Sequence, residues 1–302
     1  MKKDFMQTAV VTSNVRIAKA TYKMKFDCDA TTITAPGQFI NIDVPGYFLR
    51  RPISVCDAED RELTIIYKVV GKGTLAMSQM SAGEELNILT GLGNGFDPER
   101  AKDGALLVGG GCGVAPLYML AKKLVAMNKS VQVVLGFNTK DEVFLEQEFL
   151  DLNDAYEFGC EGFEGDKPEV KVAVTTVDGS YGIKGFVTDA IAQIFENAKK
   201  PNRDKRYEAG KATDADTSAG ANGTADTDAF EVTLPYYHAC GPLPMLKALK
   251  KSVGNYGELS LEERMGCGFG ACVGCSVKTT KGFKKVCADG PVFPAGEVLE
   301  EI

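Results

Sequence analysis

Four cysteines near the C-terminal end, Cys267, Cys272, Cys275 and Cys287, follow the spacing C-x4-C-x2-C-x11-C through Met265-Gly-Cys-Gly-Phe-Gly-Ala-Cys-Val-Gly-Cys-Ser. A trio plus one matches the plant-type 2Fe–2S pattern, although the fourth thiol here returns after only eleven residues. Gly266, Gly268, Gly270 and Gly274 let the loop fold tightly and aim several backbone amides at one centre. The short return predicts a compact lobe with a small hairpin, Val277 to Val286, that carries Cys287 back. Structural zinc sites more often show two C-x2–4-C pairs. Disulfides need an oxidising compartment, and Met1–Val10 carries no signal-peptide pattern.

Three further segments have residue types suited to binding a dinucleotide. In Arg51-Pro52-Ile53-Ser54 an arginine fixed by a neighbouring proline can present its fork to a phosphate, and a serine three residues on can hydrogen-bond a ring or ribose. Alone this is a weak signal, and a surface arginine beside a turn proline is the simpler reading. About twenty residues later Gly71-Lys72-Gly73-Thr74 joins a strand to a helix expected over Leu75–Met80, where free amides bind phosphate. Together the two segments predict a pyrophosphate clamp. In Val108-Gly109-Gly110-Gly111-Cys112-Gly113-Val114-Ala115-Pro116, four glycines in five positions exceed what strand-on-helix packing requires, so a dinucleotide is expected to approach there. His238-Ala-Cys240-Gly241-Pro242 ends a strand at the edge where parallel sheets bind ligands. The Cys240 thiol is small and polarizable and suits the face of a nicotinamide. His238, the only histidine, reads as a structural strand-end residue.

These segments need a scaffold, and the apolar patterning predicts one. Short β-like runs at Thr8–Asn14, Thr21–Phe26, Phe39–Val44, Leu63–Val70 and Glu85–Leu89 suggest an antiparallel barrel. From Ala105 the pattern changes to strand, glycine turn, helix (Ala115–Met127) and strand (Val131–Phe137), a βαβ unit of a parallel sheet. Strands at Val170–Thr176 and Tyr236–Ala239 and helices at Val187–Ala198 and Pro244–Val253 continue it. The expected division is a barrel over 1–100, an α/β nucleotide domain over 101–254 and a Cys-rich lobe over 255–302. Between Glu208 and Ala229 there is no Val, Ile, Leu, Met or Phe, so 201–229 reads as a disordered insertion. Of the remaining cysteines, Cys28, Cys56 and Cys160 read as small buried hydrophobes. At 302 residues and 44% hydrophobic the chain is long enough for two or three globular domains. Its net charge of −7 argues against nucleic acid or an anionic membrane as partner. No run approaches the about 18 apolar residues of a membrane span. Cytoplasm is the expected location.

With these motifs in this order the chain resembles the ferredoxin-reductase superfamily. The C-terminal pattern E-x-x-M-x-C-G-x-G-x-C-x-x-C, carried by Glu262, Met265, Cys267, Gly268, Gly270, Cys272 and Cys275, narrows the resemblance. It points to electron-transfer subunits of NAD-dependent (B-type) dihydroorotate dehydrogenases. The resemblance implies FAD contacts at Arg51, Pro52, Ile53 and Ser54, at Ile66, Tyr67 and Lys68, and at Gly73 and Thr74. It implies NAD contacts at Gly109, Gly110, Gly111, Gly113, Gly241 and Pro242, with Cys240 at the reacting ring, and cluster ligation by Cys267, Cys272, Cys275 and Cys287. Leu89 to Phe96 would close the barrel. It further implies an FMN-containing catalytic partner subunit, a heterotetramer with two copies of each, and a role in pyrimidine biosynthesis. The turn Gly136 to Lys140 lacks an arginine pair for a 2′-phosphate, which favours NAD over NADP. The insertion at 201–229 departs from the family pattern. The alternative is the small subunit of a ferredoxin–NADP or sulfide dehydrogenase flavoprotein, in which aspartate often replaces the first cluster cysteine; here that position is Cys267.

Overall fold

The computed structural model describes residues 5–102, 104–154, 167–199 and 235–299. Cys160 and the 201–229 insertion lie outside the described residues. Six antiparallel strands form a closed barrel in the order β1-β2-β5-β4-β3-β6. They are β1 (Met6–Ala18), β2 (Thr21–Asp27), β3 (Phe39–Ile42), β4 (Arg51–Glu59), β5 (Glu62–Lys68) and β6 (Glu85–Leu92), with α1 (Lys72–Ser78) between the last two. Closure removes the exposed strand edges that an open sheet would present. The barrel is filled by Met24, Phe26, Ile40, Ile42, Ile65 and Tyr67, all buried.

Strand β4 is absent from the apolar reading because Pro52 and the acidic Asp57 and Glu59 interrupt its pattern. Its pairing explains how the proline is tolerated. Arg51–Ser54 pair with β3, and pairing with β5 begins only at Val55, so Pro52 forfeits no β4–β5 bond. Helix α1 begins three residues ahead of expectation, at Lys72, because Thr74 Oγ1 accepts from Val70 N and Gly71 N and closes the first turn.

The second sheet has seven strands in the order β10-β9-β8-β7-β11-β12-β15. They are β7 (Ala105–Gly110), β8 (Val131–Phe137), β9 (Val170–Thr176), β10 (Ile183–Lys184), β11 (Tyr236–Cys240), β12 (Gly257–Ser260) and β15 (Val292–Pro294). All neighbours are parallel except β15, which runs antiparallel to β12. Every residue of β7 is buried, as expected of a parallel strand covered on both faces. Leu107 packs toward α2 (Ala115–Ala126), while Leu106 and Val108 share a core with α4 (Val187–Lys199) and α5 (Leu243–Val253). The short α3 (Glu146–Leu150) follows β8.

The sheet runs past Gly254: β12 and β15, only four and three residues long, are its strands, although the sequence division puts both in the lobe. That lobe otherwise consists of the cysteine loop and the hairpin β13 (Ser276–Thr279) and β14 (Gly282–Lys285), which returns the chain to Cys287.

The three parts share cores. Barrel residues Cys56 and Ile66 pack with Leu117, Leu120 and Leu124 of α2, and barrel residues Phe39 and Leu92 pack with Cys275, Val286, Cys287 and Phe293. Each such side chain, fully buried, contributes about 1.5–3 kcal/mol. Lys122 of α2 adds an ion pair to Asp57 at 2.8 Å and another to Glu59, both on β4.

Candidate redox and nucleotide site

The cysteine loop is shaped by its backbone. Gly268 and Gly270 adopt φ of +78° and +89°, a region open to glycine at no steric cost. The Gly270 amide donates to Cys287 Sγ at 3.2 Å and the Cys272 amide to Cys267 Sγ at 3.4 Å. Burial pushes the Cys267 thiol up, but the amides of Cys272, Phe269 and Ala271 and the Cys272 thiol outweigh it and bring the group down to about 6. Cys275 and Cys287 lie 3.3 Å apart, and burial, then the Cys275 hydrogen bond, raises Cys287 to about 12. All eight described cysteines are free.

Among the described residues no three His, Cys, Asp or Glu side chains converge on one point. The loop thiols instead fall into two pairs, Cys267 with Cys272 and Cys275 with Cys287. Two pairs suit a cluster with two irons, whereas a zinc ion gathers all four ligands about one centre. The donor set and the amides directed at sulfur fit a 2Fe–2S cluster.

This loop is fastened to the barrel. Asn41 of β3 donates to the Cys267 carbonyl at 3.2 Å, and a Cβ at Gly268 would fall 2.3 Å from Asn41 Nδ2. Asn41 is also the register partner of Pro52. The loop is therefore anchored one strand spacing, about 4.8 Å, from the Arg51–Ser54 segment. Asn41 is a site residue that the sequence does not reveal.

On the barrel the two arginines divide. Arg50 is used internally, donating to Asn41 O, to Asn87 O and to Asn87 Oδ1, with Asp43 at 3.3 Å. Arg51 lies over the Tyr47 ring, its carbon 5.2 Å from the centroid, and donates to Leu49 O. Its guanidinium occupies the space that a Cβ at Gly73 would need, with Nε at 2.2 Å. The structure thus brings Arg51 and Gly73 together, as the clamp requires. With seven residues α1 is short, so the loop amides and Arg51 rather than a helix dipole are what a phosphate would meet.

The expected contacts at Ile66–Lys68 are limited to backbone or to a cation. Ile66 and Tyr67 are buried, and Tyr67 donates to Asn14 at 3.0 Å. Lys68 crosses to the second domain and pairs with Glu142 at 2.8 Å. Burial opposes ionisation of Glu142, but Lys68 and Asn138 prevail and hold its carboxyl below the usual range.

The glycine turn after β7 is only partly an open face. A Cβ at Gly109 would fall 2.8 Å from Val114, at Gly110 2.4 Å from Met245 Sδ, and at Gly113 2.2 Å from Cys240 O. Packing accounts for Gly109 and Gly113 and, against the flexible end of Met245, for Gly110, which leaves Gly111 as the glycine in excess of packing. Gly111, with φ of +53° and nothing within 4 Å, is the one that faces open space.

Gly113 brings this turn against Cys240-Gly241-Pro242. The Cys240 thiol is 2% exposed; burial, then Glu262, pushes it up to about 12 despite a hydrogen bond from Ser260. It is a neutral thiol in the wall of the site and not a nucleophile. Cys112 is raised to about 11 by burial and feels Lys68 and Glu262. Although the Glu262 side chain still reaches solvent, surrounding protein desolvates its carboxyl and raises it. Two thiols and a carboxyl thus meet where β7, β11 and β12 end. The sequence marks Glu262 only as a motif position.

His238 is fully buried, with Nδ1 3.1 Å from Glu258 and its ring edge-on to Phe96 and Tyr236. Glu258 also accepts from Asp97 N at 3.1 Å and lies 3.5 Å from Arg100. Glu258 of β12 thus joins the linker between the two sheets to His238 of β11, which reads as a structural strand residue.

Comparison with known proteins agrees with this geometry. Residues 262–299 match the iron–sulfur cluster binding domain of dihydroorotate dehydrogenase B, and residues 107–213 match an oxidoreductase NAD-binding domain. The chain is 39% identical over 304 residues to the dihydroorotate dehydrogenase B (NAD(+)) electron transfer subunit of Fusobacterium nucleatum, covering 97% of this chain and 98% of that one. It is 38% identical over 310 residues to the subunit of the same name from Bacillus mycoides, with the same coverage. Among solved structures, an NADH-dependent reduced ferredoxin-NADP oxidoreductase superposes with a TM-score of 0.73 at 26% identity, over 97% of this chain and 90% of that one. A ferredoxin NADP+ reductase from Neisseria gonorrhoeae shares the fold alone, with a TM-score of 0.58 at 15% identity over 87% and 95% of the two chains.

Proposed function

The chain belongs to the family of electron transfer subunits of NAD-dependent dihydroorotate dehydrogenase B, and from that premise we propose which of its residues serve each cofactor and what partner it serves. FAD, an iron–sulfur cluster and NAD are its cofactors. When bound, the cluster supplies one-electron transfer and the flavin exchanges single electrons for the electron pair of a hydride.

The division of labour follows chain order: residues 1–100 serve the flavin, 101–254 the nucleotide and 255–302 the cluster, with β12 and β15 lent to the central sheet. Arg51 and the amides around Gly73 and Thr74 hold the pyrophosphate of FAD. Pro52, Ile53 and Ser54 line its ring, and Ile66, Tyr67 and Lys68 contribute backbone. Gly111 leaves room for the NAD pyrophosphate, while Gly109, Gly110, Gly113, Gly241 and Pro242 set the shape of that turn. Cys240 walls the nicotinamide pocket and, being neutral, offers no anion to repel an incoming hydride. Cys267, Cys272, Cys275 and Cys287 hold the cluster. One observation supports this reading above the others: Asn41 hydrogen-bonds the cysteine loop and sits on the strand paired with Arg51–Ser54, so the loop and that segment share one support.

The partner in this reading is an FMN-containing catalytic subunit that oxidises dihydroorotate, assembled as a heterotetramer in the cytoplasm and acting in pyrimidine biosynthesis. Phe269 and Val273, 57% and 73% exposed on the cysteine loop, are apolar surface suited to that contact. Among the described residues no helix is long and apolar enough to cross a membrane.

Cys272→Ser tests the assignment. The variant is expected to lose the visible absorbance of the cluster and NAD reduction driven by dihydroorotate in the complex, while its flavin-to-protein ratio stays at the wild-type value. Loss of flavin from a variant that still melts like wild type would contradict the separation of the two sites.

A further inference from the structure

Five consecutive backbone amides, from Gly268 to Cys272, line the cysteine loop, and four of them are directed at sulfur. Those of Phe269, Ala271 and Cys272 reach Cys267 Sγ, and that of Gly270 reaches Cys287 Sγ. A run of this kind, turned by Gly268 and Gly270 at positive φ, forms a concavity suited to an anion. The first amide of the run is the exception. Gly268 is buried, yet its N–H has no acceptor among the described residues. Buried amides are paired in nearly all folded proteins, so this one points to a group that the loop is built to hold.

A barrel residue aims it. The Cys267 carbonyl and the Gly268 N–H belong to one trans peptide, whose two groups point in opposite directions. Asn41 Nδ2 donates to that carbonyl at 3.2 Å, so the carbonyl is turned to β3 and the N–H away from it. The contact is close: a Cβ on Gly268 would fall 2.3 Å from Asn41 Nδ2. Asn41 itself is 1% exposed, and its Oδ1 is buried without a hydrogen-bond partner. An unpaired buried acceptor costs stability. Leucine, with the same branching, would avoid that cost and give up the donor, so the donor is what asparagine contributes at this position.

We propose that Asn41 is a positioning residue that raises the reduction potential of the cluster, by holding the Cys267–Gly268 peptide so that the Gly268 amide donates to cluster sulfur. Hydrogen bonds to sulfur stabilise the added negative charge of the reduced state and so move the potential up. A one-electron relay must be poised between its donor and its acceptor. Through Asn41 that poise is set from β3, the strand paired with Arg51–Ser54, and not by the cysteine loop alone. This inference rests on the reading of Cys267, Cys272, Cys275 and Cys287 as ligands of a 2Fe–2S cluster.

The test is a potentiometric titration of the cluster, followed by electron paramagnetic resonance, on the protein purified with its flavin and cluster, in wild type, Asn41→Leu and Asn41→Ala. Both substitutions remove the donor; leucine keeps the branched shape and alanine does not. In both, the balance of reduced and oxidised cluster is expected to shift about tenfold toward the oxidised form, a fall of about 59 mV for one electron. Iron and acid-labile sulfide per chain should stay at wild-type values, so the shift is read on an intact cluster. An unchanged potential in both variants would leave Asn41 a structural contact and overturn the proposal. A fall in Asn41→Ala alone would assign the effect to lost packing and overturn it too, as would loss of the cluster from both variants, which would make Asn41 an anchor only. If wild type itself gives no 2Fe–2S signal, the reading of the four cysteines fails, and the inference falls with it.

Discussion

Arg50 and Arg51 are adjacent and chemically identical, yet one is spent inside the protein and the other is available to a ligand. Arg50 is consumed by Asn41, Asn87 and Asp43, whereas Arg51 folds over Tyr47 into the space beside Gly73. Gly73→Ala therefore tests the clamp at the scale of one methyl group. The new Cβ displaces the end of a flexible side chain, so stability is expected to change by no more than about 0.5 kcal/mol. The Arg51 fork loses its place, and FAD affinity should fall about tenfold, measured by flavin released on dilution and gel filtration. Wild-type retention of FAD would remove Arg51 from the clamp. The residues that sequence made legible are those whose meaning is local: the cysteine spacing, the glycine turns and Arg51-Pro-Ile-Ser. Asn41 was not legible, because its partner Cys267 is 226 residues away and an asparagine in a strand carries no sign of what it will bind. Gly109, Gly110 and Gly113 were legible as a motif but not in their cause, which is contact with Val114, Met245 and Cys240.

At the scale of elements, apolar periodicity identifies the barrel and the parallel sheet but loses the strands that depend on neighbours. Strand β4 begins with Arg51-Pro52, and β12 and β15 are too short for a period to show; all three form because a partner strand is already in place. The same dependence makes β3 the strut of the cysteine loop, through the Asn41 side chain. Asn41→Ala leaves the Cys267 carbonyl without that donor, at a cost of about 1 kcal/mol. Backbone amides of Gly266–Gly274 should then exchange with deuterium several-fold faster, while β3 and β4 keep their protection. Unchanged exchange in the loop would mean that the shared core under Cys275 and Cys287, and not Asn41, holds it in place.

For the whole molecule, continuous packing matters more than any one contact. Barrel side chains enter both the core around α2 and the core beneath the cysteines, and Lys122 and Lys68 pair across the boundary between barrel and sheet. Shared cores of this kind suit the proposed relay between three sites, and Phe269 and Val273 stand exposed on the cysteine loop. In the proposed function the substrate chemistry lies on the partner subunit. The most direct measurement is anaerobic NADH formation from dihydroorotate by this chain co-purified with an FMN-containing catalytic subunit, with each subunit alone as control. NADH formed by the complex and by neither subunit alone is the predicted result. A complex that carries FAD, FMN and the cluster and yet forms no NADH from dihydroorotate would contradict the proposed function.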